Sequence, residues 1–349
     1  MRTPKGPLKL ITPVIPVISV SRRRTEHGRA DRGAREHPPP VLLQGHHLPG
    51  RSATALCRGL AAQGRGYRET LTAAEPDILV MVGADHFHQL WLDNYPQFLI
   101  GKQERYDATF YNEEREFGIP KYTLAGDIEL SRYMHQELLG KDFDFSVSHE
   151  LKIDHSIICP IITVRPEADL PIVPIYTNIF VPPLPSPRRF YQVGRAIREI
   201  IDSFPSDKKV AAIGTGHLSL ELGGPRQFGE HGPDPLFDAD AIEWLSTGNI
   251  DAILANVTHE SMAGAGNATH GFMDLLLMMG VAGPGVHADY VDHLDLFHTR
   301  EMYMTWYPNK TQDQLDAAAR AAATAQASTG PIYATDPAWE KFRVNQEQA

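Results

Sequence analysis

The run Asp77-Ile-Leu-Val-Met-Val-Gly-Ala-Asp85-His86-Phe87-His88 constrains this chain more than any other stretch, because an unbroken apolar segment ends abruptly in an acid and two imidazoles. A strand apolar on both faces must be covered on both faces, as in the parallel sheet of an α/β protein. In such sheets the carboxyl ends of the strands open onto the crevice where ligands bind, so polar groups at that point are displayed. If the extended conformation continues, His86 and His88 share one face. The alternative is that one imidazole satisfies a buried carbonyl while the other is solvated.

The rest of the chain repeats the alternation that a layered α/β sheet with helices on both faces requires. A helix is predicted around Asp127–Leu139 and a strand over Ile172–Phe180. The Pro-rich turn 181–187 then leads into a helix with Phe190, Val193, Ile197, Ile200 and Ile201 on one side. A strand at Lys209–Ile213 runs into the loop Gly214-Thr-Gly-His217, and a final apolar helix covers Asn267–Met279. The Gly-X-Gly of that loop completes neither the dinucleotide fingerprint nor a Walker motif, so a phosphate cradle is rejected. The Met and Leu stripe at 273–279 reads as core. Residues 1–39 read as a poorly specified arm, 40–307 as the folded domain, and 308–349 as an Ala-rich helix with a polar tail. The stretch from about Ser21 to Arg68, rich in Arg, Gly, Pro and His, is either a flexible arm or the product of a shifted start. Within it, Pro40–Pro49 is a short apolar run ending in His46-His47, a second strand-then-imidazole pattern.

With 349 residues, 42% of them hydrophobic, the chain can bury a large core. A net charge of −10 argues against nucleic acid or an anionic membrane as partner and favours a small-molecule substrate. Two cysteines, Cys57 and Cys159, rule out a disulfide framework and point to a reducing cytoplasm. No apolar run reaches the roughly 18 residues of a spanning helix. The apolar stretch Leu10–Val20 is broken by two prolines and followed by Arg22-Arg23-Arg24, which does not suit a signal peptide. Sixteen His is a high count, and His is the commonest metal ligand and proton carrier near neutral pH. His287, His293 and His298 lie in a loop-rich stretch and read as surface residues, and Arg188-Arg189 as a solvated helix start.

Taken in order, Asp85-His86 at a strand end, Ile153-Asp-His-Ser-Ile-Ile-Cys-Pro160, Tyr176-Thr-Asn178 before the Pro-rich turn, Ser203-Phe-Pro205 and Gly224-Pro-Arg226 are similar to the class III extradiol ring-cleavage dioxygenases of the protocatechuate and gallate type. The likeness runs from about 77 to 307 and is densest in 150–226. It implies a mononuclear Fe(II), with zinc the alternative, held by two His and one Glu, and a catechol or gallate-type aromatic acid cleaved with O₂. Two imidazoles and a carboxylate suit ferrous iron and leave coordination positions open. Carried over residue by residue, His47 in His47-Leu48-Pro49 and His86 become metal ligands, and His155 contacts substrate or shuttles protons. The alternative for His155 is a helix-start His beside its capping Asp. The likeness also implies a homo-oligomer or a hetero-oligomer with a related subunit.

Two positions depart from the family pattern. Leu220 stands where the acid/base His is expected, and His217, three residues earlier, is the candidate for that role and for contact with substrate. Gly271 stands where the ligand Glu is expected. His270 is the nearest imidazole substitute for the third ligand, Asn267 the neighbouring alternative, and Glu260 or Glu221 could reach in from elsewhere. Three readings follow: a ring-cleaving dioxygenase, a non-catalytic paralogue or partner subunit, and the same fold turned to another metal-dependent reaction with His217 as base.

Overall fold

The computed structural model describes residues 9–13, 67–117, 119–227, 232–295 and 300–306. An eight-stranded sheet runs β6-β3-β7-β2-β8-β1-β10-β9. Its centre is β7 (Ile172–Thr177), β2 (Ile78–Gly83), β8 (Val210–Gly214) and β1 (Lys9–Pro13), each parallel to its neighbour. On one flank β3 (Phe98–Gly101) runs antiparallel to β7 and parallel to β6 (Ser146–Ser148). On the other, β10 (Arg300–Trp306) is antiparallel to both β1 and β9 (Tyr290–Asp295). A separate hairpin pairs β4 (Arg105–Ala108) with β5 (Tyr122–Ala125).

The central strands are apolar on both faces because each face is covered. Ile78, Val80 and Val82 of β2 enter one core cluster, while Leu79 and Met81 enter the other. Val210 and Ala212 of β8 side with the first set, and Ala211 and Ile213 with the second. The period of two divides each strand between two cores. The first core is closed by α2 (Ile128–Leu139), α4 (Pro187–Ser203) and α8 (Phe272–Ala282), with α5 (Pro235–Ser246), α6 (Ile250–Asn256) and α7 (His259–Ala265) at its margin. The second is closed by α3 (His155–Val164), helical residues at 67–74 and the β4-β5 hairpin; α1 (Tyr111–Phe117) lies at the site described below. The chain is therefore α/β, with a mostly parallel sheet between two helical layers.

Local chemistry sets the element ends. Asp127 and Ser186 cap α2 and α4 by accepting hydrogen bonds from Leu130 N–H and Arg189 N–H. The β7 strand stops at Thr177, short of the predicted Phe180, because the Asn178 side-chain oxygen Oδ1 accepts from the N–H groups of Phe180 and Val181 and turns the chain. The predicted helix over 267–279 begins later, at Phe272 after a 3₁₀ turn at Thr269–Gly271, since Asn267 is held by the backbone of Leu222. α4 and α8 touch backbone to backbone: a Cβ on Gly280 would fall 2.3 Å from Tyr191 O, and one on Gly194 1.9 Å from Leu277 O.

The loop-rich stretch expected around 287–298 contains β9, where His293 is exposed, as is His287 before it. Part of the segment read as an arm, Lys9–Pro13, is β1. His298, the Pro40–Pro49 run with His47 and the Ala-rich C-terminal segment lie outside the described residues. No helix among the described residues is long and apolar enough to cross a membrane.

Candidate functional site

The carboxyl ends of β2, β7 and β8 open onto one cleft, as strand order predicts. Its lining includes Ala84, His86, His155, Ser156, Cys159, Ile179, Thr215, His217 and Asp274.

The chain does not stay extended after β2. Asp85 is buried, and its carboxylate accepts hydrogen bonds from the N–H groups of His88, Gln89 and Leu90 at 2.9–3.2 Å, wrapping the loop around itself. Phe87 takes a left-handed conformation with φ 57°, which costs a non-glycine residue of order 1 kcal/mol or more. His86 and His88 consequently do not alternate as strand neighbours. The turn drives the Phe87 ring into an aromatic group with Trp91, Tyr95 and Phe180, and Phe180 in turn meets His86 edge-on at 5.1 Å.

His86 is oriented by Asp154, the N-cap of α3. Its Nδ1 donates to Asp154 Oδ2 at 3.1 Å, and its backbone N–H reaches the same oxygen at 3.2 Å. A carboxylate can only accept, so the proton is on Nδ1 and any ligand in the cleft meets Nε2. Burial, reinforced by the nearby His155, lowers the His86 pKa, although Asp154 opposes the shift. The shift favours the neutral ring, the form in which an imidazole can bind a metal. Burial alone would raise the pKa of Asp154. Hydrogen bonds from His86 and Ser156 and the charges of the two imidazoles outweigh it and hold Asp154 well below the usual carboxylate range. Tyr176 O–H also donates to Asp154, at 3.0 Å.

His155 carries the same device with a different acid. Its Nδ1 donates to Glu113 Oε1 at 2.7 Å and its backbone N–H to the same oxygen at 2.6 Å. Glu113 comes from α1, is fully buried, and takes Phe110 N–H on its other oxygen at 2.7 Å. Burial opposes charge on His155, but the Glu113 hydrogen bond and the charges of Asp154 and Glu113 prevail, so its pKa is raised. The alternative reading of a helix-start His beside its capping Asp holds only for the backbone, because the ring turns to Glu113 while Asp154 stays 3.8 Å away. The two rings lie 4.1 Å apart, centre to centre.

His88, Glu113, Asp154 and His155 bring potential metal donors within 4.8 Å of one another. Both carboxylates there are occupied by N–H and O–H donors, which makes the group a hydrogen-bonded frame for the rings and leaves metal binding to the cleft side. His88 joins the frame from behind, 3.6 Å from Glu113 Oε1 and 3.0 Å from Asn112 Nδ2.

His217 reaches the cleft from the loop after β8. That loop is clamped to the turn before α8: Ala268 N–H donates to Leu220 O at 3.0 Å, and Leu220 N–H to Thr269 Oγ1 at 3.1 Å. Leu220 is buried in the clamp. His270, expected among the ligands, is placed apart from the cleft. The 3₁₀ turn directs it to His259, on which it stacks at 5.5 Å, and it does not line the cleft. Glu221 is paired with Arg226 at 2.7 Å, Glu260 is exposed, and Asn267 is tied to Leu222. His47 lies outside the described residues.

Sequence reasoning missed Glu113 and Asp274. Asp274 is a buried carboxylate on α8 that accepts from Thr177 Oγ1 at 2.7 Å, and burial pushes its pKa up to about 7 against that hydrogen bond. Its signal was present as a lone acid inside an apolar run. Three imidazoles and a carboxylate on one cleft form a nitrogen and oxygen donor set that fits a first-row divalent ion.

Residues 36–302 match the family described as the catalytic LigB subunit of aromatic ring-opening dioxygenase. Gallate dioxygenase of Pseudomonas putida is 33% identical over 125 residues, 35% of this chain and 36% of that protein. A 2,3-dihydroxyphenylpropionate/2,3-dihydroxicinnamic acid 1,2-dioxygenase of Dechloromonas aromatica is 29% identical over 182 residues, 51% of this chain and 54% of that protein. The chain thus spans about half or less of the length of these curated relatives. The solved structure of an uncharacterized Escherichia coli K12 protein aligns at a TM-score of 0.45 and 14% identity over 70% of this chain and 91% of that one. By the extent of the family match, the chain belongs to the catalytic LigB subunits of aromatic ring-opening dioxygenases.

Proposed function

We propose that this protein is a metal-dependent extradiol dioxygenase that opens the ring of a catechol or gallate-type aromatic acid with O₂. The observation that carries the reading is the pair of carboxylate-anchored imidazoles, Asp154–His86 and Glu113–His155, side by side in one cleft. Anchoring Nδ1 fixes each ring's tautomer and direction, which a metal ligand and a proton carrier both need.

In this reading His86, with His47 from the N-terminal region, holds Fe(II). When bound, the ion would supply Lewis acidity toward a catechol's oxygens and, as Fe(II), redox chemistry toward O₂; zinc is the alternative occupant. His155, whose pKa is raised, is suited to stay protonated near neutral pH and to hold a substrate oxygen by a charge-assisted hydrogen bond. His217 faces the same cleft from another loop and takes the role of the base that removes a phenolic proton. Phe180, edge-on to His86 at 5.1 Å, offers an aromatic surface beside that ring, which suits a flat aromatic substrate.

The test is O₂ consumption by anaerobically purified, Fe(II)-loaded protein offered catechol, protocatechuate, gallate and dihydroxyphenylpropionate. Uptake with the appearance of a ring-opened chromophore supports the reading, and no uptake with any of the four overturns it. Replacement of the base-position residue by Leu220 favours one competitor, a non-catalytic paralogue. Stoichiometric bound iron together with turnover excludes that competitor, and bound zinc without O₂ uptake points to a different metal reaction.

A further inference from the structure

Every residue of α8 is buried, and Asp274 is its single charged residue. A buried carboxylate is costly unless it is neutralised or richly hydrogen-bonded. Asp154 meets that demand with several donors, whereas Asp274 has one hydrogen bond among the described residues, from Thr177 Oγ1. Nor does it serve its own helix, since the N-terminus of α8 has no side-chain cap. The carboxylate instead points across to β7 and lines the cleft with His86 and His217.

The neighbouring turn is shaped to bring His217 to the same place. A Cβ on Gly271 would fall 2.5 Å from His217 Cδ2, and a Cβ on Gly216 would fall 2.6 Å from Gly271 O. The φ of Gly271 is −57°, a value open to any residue, so glycine is required there for space. The imidazole fills the volume that a side chain at 271 would need, and the next acid along the helix, Asp274, faces the cleft.

Resting on the function proposed above, we propose that Asp274 is the anionic donor to the divalent metal of this cleft, with Thr177 orienting its carboxylate and Gly271 leaving the room that seats His217 beside it. Aspartate from the first turn of α8 supplies a hard oxygen to complement the imidazole nitrogen of His86. The Thr177 hydroxyl occupies one oxygen and leaves the other for the ion.

The experiment is anaerobic equilibrium binding of Fe(II), and of Co(II) as a spectroscopic probe, to the metal-free full-length protein and to Asp274→Asn and His86→Ala. Asn keeps the shape and can still accept from Thr177, so Asp274→Asn is expected to fold; its metal-free melting temperature should equal or exceed that of the wild type because a buried charge is gone. The expected result is about one equivalent bound by the wild type, at least roughly 10-fold weaker binding by Asp274→Asn, and an altered Co(II) visible spectrum. If Asp274→Asn binds with wild-type affinity and spectrum while His86→Ala loses the metal, this inference falls and the proposed function stands. If the wild type binds neither ion, both fall. Should Asp274→Asn misfold, Thr177→Val provides the second arm: loss of the orienting hydrogen bond is expected to weaken binding, and unchanged affinity overturns the proposal.

Discussion

His155 Nδ1 lies 2.7 Å from Glu113 Oε1, and the same oxygen receives the backbone N–H of His155, so one buried acid from α1 holds both the first turn of α3 and the ring it displays. Removing that acid separates orientation from folding. In Glu113→Gln the amide oxygen retains one acceptor but the charge is lost. O₂ uptake is expected to fall about 10- to 100-fold, with a small change in melting temperature. Glu113→Ala leaves the N–H groups of His155 and Phe110 without their acceptor and is expected to lower stability by about 2–5 kcal/mol in urea titrations. Wild-type turnover in Glu113→Gln would remove Glu113 from the site.

Gly271→Ala tests whether the His217 ring is seated by the space above that glycine. The added methyl meets the ring at 2.5 Å, and the ring is easier to move than the backbone. Turnover is expected to drop at least roughly 10-fold while stability falls by about 1–3 kcal/mol. Retained activity would mean that the ring has another productive seat.

The contact of α4 with α8 leaves no side chain to move aside. Gly280→Ala places a methyl 2.3 Å from Tyr191 O and 2.9 Å from Arg195 N, both backbone atoms of the facing helix. The helices must separate, and a loss of about 3 kcal/mol or more is expected in denaturant midpoints, at the upper end of overpacking effects. A midpoint within error of the wild type would contradict the packing described.

Stability should fall as the pH rises from about 4 toward about 7, and Asp238 is the group to test. Burial pushes its pKa from 3.8 up to about 7, against hydrogen bonds from Ser219 and the charge of Arg300. A carboxyl that ionises later in the folded protein than in the unfolded chain holds an extra proton between the two pKa values. Its contribution is therefore full below about pH 4 and is lost as the pH climbs toward about 7, by up to about 4 kcal/mol. Asp238→Asn keeps an acceptor for Ser219 N–H, which lies 2.7 Å from Oδ1, and should flatten the difference between urea midpoints at pH 5 and pH 8. An unchanged pH dependence in the variant would assign the effect to other groups.

The sheet was legible because its evidence is local. Ile78–Gly83 is apolar on both faces, so a strand there needs two covering layers, and both are present. The helix after Ser186 announced itself through the Pro-rich turn before it and one apolar side, and the structure adds the Ser186 cap. The LigB likeness was equally legible, since Asp85-His86, Asp154-His155 and Gly224-Pro-Arg226 are short motifs in a fixed order, and the family match covers them all.

What the sequence could not assign is which side chains converge. Glu113 and Glu114 are neighbours in an ordinary polar helix start, and only the packing of α1 against α3 buries the first and leaves the second half-exposed beside Lys121. His270 was read as the substitute third ligand and His217 as the acid/base candidate, both expected in one site. A 3₁₀ turn sends one to His259, and the glycine at 271 makes room for the other in the cleft. By itself, then, the sequence determined the layered fold, the family and the strand-end His86, because those rest on periodicity and contiguous motifs. Only the tertiary structure decided that Asp154 and Glu113 aim the two imidazoles and that Asp274 completes the lining, because those contacts join residues brought together by packing and leave no period in the chain.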